Sequence, residues 1–251
     1  FLISDFLTSS RMGWNPLSPH FPVRSTADIL ELGPTDPRWP RLWHHMPDPP
    51  QILHVHGDPA WLNKPALAIV GTRRASNRGL ALAEGLARAL SLRGWIIVSG
   101  LAHGIDAAAH RGALAVGGGT VAVMGTGPDL VYPRIHQQLH AEVIACGCSV
   151  TEYAPGMPPL RHHFPARNRL IAALSRAVIV VEAPLQSGAM HTANVALDYD
   201  REVFAVPGPV DLPNSRGCHR LLRDGAHLIE TVDDVDRILG FPVPEQQTRG
   251  L

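Results

Sequence analysis

The chain has 251 residues, 45% of them apolar and 18% charged, enough to build one large α/β domain with a small appendage. Lys+Arg and Asp+Glu stand at 22 each, so the formal charge is zero. That excludes a strongly basic protein and confines any nucleic-acid site to a local patch. No apolar run approaches membrane-spanning length, and the cysteines (Cys146, Cys148, Cys218) are odd in number, which suits reduced thiols in a cytoplasmic protein.

Residues 1–60 read as an N-terminal appendage. The opening FLISDFLTSS carries Asp5 and no basic residue, so it lacks the pattern of a signal peptide. A short helical pattern covers Ser25–Leu32, with a cap at Ser25 or Thr26 and a stop at Gly33. The proline-, tryptophan- and histidine-rich stretch that follows reads as a lead-in lying across the core. Residues 61–240 form the core proper, and 241–251, proline-broken and polar, a linker or tail.

From Ala66 onward strands and helices alternate. Strands are expected at Leu67–Val70, Trp95–Ser99, Thr120–Met124, Ser149–Glu152, Ala177–Val181, Val203–Val206 and Ala226–Ile229. Helices fit Gly79–Leu92, Ile105–Val116, Ile135–Ala145, Arg167–Leu174, His191–Tyr199, Cys218–Arg223 and Asp233–Leu239. Continuous apolar runs such as AVIVV mark strands covered on both faces, and the alternation implies a doubly wound, mostly parallel sheet. The loops after the strands then share one rim, where such folds bind their ligands.

Those loops carry the candidate site. In GTRRASNRG, Gly71 lets the backbone turn close to a ligand, Ser76 or Asn77 caps the next helix, and its free amides attract an anion. Arg73, Arg74 and Arg78 add charge there, in a spacing that is neither a dinucleotide fingerprint nor a P-loop; three arginines in six residues on the ligand rim favour phosphate binding over solvated arginines on a structural turn. Only Lys64 among the basic residues is a lysine, which suits planar phosphate contacts but also follows from GC-rich coding. In SGLAHGIDAAAH, Gly100 and Gly104 bracket a second turn. Asp106 and His110, one helical turn apart, fit a helix-end acid hydrogen-bonded to an imidazole better than an acid–base pair. In GTGPDLVYP, Gly125 opens a third tight loop, and Tyr132 either stacks on a base or plugs the loop mouth.

The stretch PLRHHFPARNRL is the most suggestive. Arg161, His162, His163, Arg167 and Arg169 surround Phe164, the mixture of cations and aromatic ring that a single-stranded nucleic acid needs. The structural alternative inserts Phe164 into the core and pairs Arg169 with Glu152 or Glu182. Ser187 and Gly188 open a helix at another strand end and offer further amides; no nucleophile elbow surrounds Ser187. The fourteen histidines lack metal-ligand spacing and read as scattered surface residues, so neither a metal nor a cofactor is expected.

Taken together, VGTRRAS, SGLAHGIDAAAH, GTGPDLVYP, FPARNRLIAALS, VVEA with SGAMHTA, and VFAVPGPV resemble the DNA-processing family DprA, or Smf, from about Asp36 to Gly240. The resemblance implies a Rossmann-like domain that binds single-stranded DNA, dimerises and helps load RecA in natural transformation, without catalysis. It carries the family's Gly-x-Arg arginine to Arg73, its basic residue before Phe-Pro to Arg161 and its base-stacking aromatic to Phe164; Arg167 and Arg169 fall in its Phe-Pro-x-Arg-Asn-Arg run. The chain departs from the family at three places: position 161 is often lysine, His136 replaces an asparagine, and His191 stands where the pattern is apolar. Relatives often add an N-terminal helical SAM-like module, at most partial in 1–45, and a C-terminal winged-helix-like domain missing from this sequence. The rival is a nucleotide-processing enzyme of phosphoribohydrolase type using Glu182 or Asp106, but its Pro-Gly-Gly-x-Gly-Thr loop is absent.

Overall fold

Short runs of β-branched and other apolar residues, four or five long and too short for helices, form fully buried strands: β3 (Ala66–Val70), β4 (Ile96–Ser99), β5 (Thr120–Val123) and β7 (Ala177–Val180). The computed structural model describes residues 28–241. The opening stretch, the Ser25 or Thr26 cap and the tail beyond Phe241 lie outside the described residues. Within them the remaining elements are β1 (Ile29–Leu32), β2 (Leu53–Gly57), α1 (Asn77–Leu92), α2 (Ile105–Leu114), α3 (Gln137–Cys146), β6 (Cys148–Thr151), α4 (His163–Leu174), α5 (Gly188–Asp198), β8 (Glu202–Ala205), α6 (Arg216–Arg223), β9 (His227–Leu228) and α7 (Val232–Leu239).

The strands make one sheet in the order β1-β2-β6-β5-β4-β3-β7-β8-β9. From β6 to β9 every pairing is parallel, as in a Rossmann-like doubly wound fold. Side chains alternate between two cores. Leu67, Ile69, Ile97, Ile179 and Phe204 meet α1, α2 and α7, while Ala68, Val98, Val121, Val178 and Val203 meet α4, α5 and α6. The chain leaves β3 toward β6 with its helices on the first face. Then α4 carries it back across the second face to β7, on the other side of β3, because right-handed crossovers in opposite directions use opposite faces. The order therefore reverses beside β3, and the loops after β3, β4, β5 and β7 converge there.

Several elements differ from the sequence reading. Ile29–Leu32 is a strand, not the end of a helix: it pairs antiparallel with β2, and that tertiary pairing overrides a weak local pattern. The lead-in supplies β2, paired antiparallel with β6, and buries Trp39 and Trp43 in the second core. Helix α4 begins at His163 rather than Arg167, since Pro165 is tolerated in a first turn that needs no N–H from it. Helix α5 begins at Gly188 rather than His191, with the Ser187 hydroxyl accepting from the Met190 amide at 3.4 Å. The histidines are only partly at the surface, where His44, His45, His103, His162 and His191 lie. His54, His56, His110, His136, His140 and His163 are all buried.

Candidate nucleic-acid interface

The β3–α1 turn follows from the length of β3 and from the serine after it. Ser76 caps α1, its hydroxyl accepting from the Gly79 amide at 3.0 Å. The helix end is not open, however. The Glu182 carboxylate, arriving from the end of β7, accepts from the Ser76 amide at 2.9 Å and from the Ser76 hydroxyl at 2.5 Å. The Asn214 amide donates to the same carboxylate at 3.3 Å and to the Arg74 carbonyl at 3.0 Å. A built-in anion thus occupies the position where free amides were expected to draw a phosphate. Gly71 has a different role from the one expected as well. A Cβ there would lie 2.5 Å from Ile105 Cγ1 and 2.8 Å from the Glu182 carbonyl, so the glycine admits its own neighbours rather than a ligand.

What faces solvent on this rim is a ring and several cations. Phe164, on the first turn of α4, is half-buried over Gly125, whose added Cβ would stand 3.1 Å from the ring. The Arg73 guanidinium lies 5.3 Å from the Phe164 centroid, and the half-exposed Tyr132 ring lies 5.6 Å from it, tilted by 40°. Behind them His163 fixes the turn: Nδ1 is 3.2 Å from the Gly125 carbonyl and the ring stacks on Tyr153 at 3.8 Å. Arg73, Arg74, Arg78 and Arg161 are exposed, and none forms an ion pair among the described residues.

Two arginines expected as phosphate contacts sit elsewhere. Arg167 is 3% exposed, and its guanidinium donates to the Gly100 carbonyl at 2.7 Å and to the Val123 carbonyl, bridging the ends of β4 and β5. Its Nε donates to Asn168 Oδ1 at 3.2 Å, and the Asp106 carboxyl lies beside it across Gly100. Burial pulls Arg167 down to about 10 despite Asp106, and pushes Asp106 above the usual carboxylate range despite Arg167. Arg169 is ion-paired with Glu152 at 2.5 Å and Asp48 at 3.3 Å, and Asp48 also accepts from the Tyr199 hydroxyl at 3.0 Å. Both arginines brace α4 through these contacts.

Gly100 is packed against that Arg167–Asp106 pair, and Ser187 and Gly188 join the rim through the Asn168 amide, which donates to the Gly188 carbonyl at 3.2 Å. The expected Asp106–His110 hydrogen bond does not form. His110 Nδ1 is 2.7 Å from the Thr120 hydroxyl, while Asp106 accepts from the Ala102 amide at 3.4 Å. Sequence reasoning missed the capping role of Glu182, whose only signal was its place at the end of an apolar strand. Among the described residues no three metal-ligating side chains converge, and no helix is long and apolar enough to cross a membrane.

The chain is 43% identical over 220 residues to protein Smf of Synechocystis, covering 86% of this chain. It is 44% identical over 188 residues to the DNA processing protein DprA of Streptococcus pneumoniae, covering 75% of this chain. It spans 55% and 66% of the length of those two relatives. The X-ray structure of the S. pneumoniae protein superposes with a TM-score of 0.79 at 39% identity, covering 86% of this chain and 75% of that one. The Helicobacter pylori DNA processing protein A, whose structure is described for its single-stranded DNA binding mode, superposes with a TM-score of 0.76 at 32% identity, covering 84% and 95%. With residues 31–239 matching its profile, the chain belongs to the DNA recombination-mediator protein A family.

Proposed function

We propose that the chain binds single-stranded DNA along the rim formed by residues 71–78, 100–104, 125–132 and 161–169. Arg73 and Arg161 hold backbone phosphates, and Phe164 stacks on a base. The observation that carries this reading is the pairing of the exposed Arg73 guanidinium, without an ion pair among the described residues, with the accessible ring of Phe164 at 5.3 Å. A chain of zero formal charge that leaves four arginines of one rim without ion-pair partners among the described residues concentrates positive potential there. The closed end of α1 disfavours a mononucleotide cofactor. Glu182 and Asp106, the acid–base candidates of a nucleotide-processing enzyme, are engaged in the cap and beside Arg167. The H. pylori relative's binding mode gives the reading independent support.

On this reading the protein is a non-enzymatic, cytoplasmic homodimer that protects incoming single strands in natural transformation and helps RecA assemble on them. Fluorescence polarisation with oligo(dT), duplex and AMP side by side tests the DNA step. Single strand should bind most tightly, and Arg73→Ala with Arg161→Ala should lower the salt slope by about 1.4, two phosphates at about 0.7 each. An unchanged affinity and slope in the double variant would overturn the mapped site.

A further inference from the structure

Arg73 also lines a cleft of about 380 Å³, within the size range of nucleotide-scale sites, between the β3–α1 turn, α2 and the residues leading into α3. Gly104, which caps α2, packs against the β3–α1 turn, where an added Cβ would clash with the Thr72 carbonyl; Ala107 follows on the same stripe of α2, and the exposed Arg111 closes the far end of the cleft. His136 is held in the wall by its Nδ1, 2.8 Å from the Leu101 carbonyl, with the His103 ring against it at 5.0 Å. Ile135, 77% exposed, stands at the mouth. No carboxylate lines the cleft, and neither Arg73 nor Arg111 has an ion-pair partner among the described residues. A concave wall with two guanidiniums that form no ion pair among the described residues, and an exposed branched apolar side chain, complements what one nucleotide presents, an anion and an apolar face.

We propose that this cleft is a second nucleotide subsite of the same strand, adjoining the one at Phe164, with Arg111 on its phosphodiester and Ile135 against its base. The proposal rests on the single-strand reading above and extends the path of the strand from the α4 rim onto α2.

The test is a length series by fluorescence polarisation, with oligo(dT) of about 5 and about 20 nucleotides, a range that brackets common single-strand site sizes. Arg111→Gln should weaken both strands about fivefold and lower their salt slopes by about 0.7, because five nucleotides already span two adjoining subsites. Arg111→Lys should restore the slope, and Ile135→Ser should weaken both strands without changing the slope. Thermal melts check that each variant folds. Arg73→Ala runs in parallel. If it weakens both strands while Arg111→Gln weakens neither, the cleft proposal falls and the interface stands; if neither variant matters, the single-strand reading falls first. Loss of AMP binding in Arg111→Gln, with both strands unaffected, would make the cleft a free-nucleotide site and overturn the proposal.

Discussion

Arg167 separates two ways an arginine can serve a nucleic-acid interface, and Arg167→Met tells them apart. The side chain is 3% exposed and satisfies the carbonyls of Gly100 and Val123 at the ends of two central strands. Methionine fills similar volume but leaves two buried carbonyls and the Asp106 carboxyl without their cation. Breaking a buried charged arrangement of this kind costs about 3–5 kcal/mol. For a domain of this size that corresponds to a fall in melting temperature of about 10 °C. Asp106, already pushed above the ordinary carboxylate range by burial, then loses the cation that opposes that shift, so it rises further and the deficit should shrink as pH is lowered. Differential scanning calorimetry gives the stability change, and polarisation at a temperature where the variant is still folded gives the DNA affinity and salt slope. A bracing role predicts a lower melting temperature with an unchanged salt slope. The opposite result, an unchanged melting temperature with a slope reduced by about 0.7, would refute the reasoning and return Arg167 to the phosphate contacts.

Phe164→Ala should cost about 1–3 kcal/mol of binding, a loss of roughly 5- to 150-fold in Kd, with the salt slope intact, because stacking is lost and no phosphate is released. Glu182→Gln weakens the charge-assisted bonds to Ser76 and should lower stability by about 1–2 kcal/mol in urea titrations, while single-strand affinity holds or improves slightly as a negative charge leaves the rim. Burial depresses His110 to about 3 and His140 to about 4, so both are neutral when folded; unfolding lets them take up protons once pH falls below about 6.5, and stability declines from there toward the folded values. The decline from pH 7.5 to 5 should be about 2 kcal/mol for each imidazole, and His140→Gln should flatten it by one such share in urea midpoints measured across that range.

The core was legible because strands covered on both faces need continuous apolar runs, and ALAIV, TVAV and AVIV permit little else. The rim was legible for the same reason: if the strands are parallel, the loops after Val70, Ser99 and Val123 must meet. The charges within the site were not. Nothing local distinguishes Arg73 from Arg167, since both follow a glycine- or proline-bearing turn beside other cations. Their separation depends on the start of α4, which Pro165 allows to fall at His163. That start places Arg167 one turn inside the helix, facing the strand ends, and Phe164 outside. The Glu182 cap was equally hidden, because it joins residues 106 positions apart in the chain. β1 was misread since four residues, Ile29–Leu32, suit either period and only their pairing with β2 decides.

Helix α4 is clamped at both levels, by Arg167 to the strand ends within and by Arg169 to Glu152 and Asp48 without. Its first turn, and with it the Phe164 ring, is therefore oriented before any ligand arrives. Folding has already removed the rotational freedom that a loop-borne aromatic would surrender on association. A strand meeting this surface loses its own disorder but imposes little on the protein, so the free energy of each stack is retained as affinity instead of being offset by ordering.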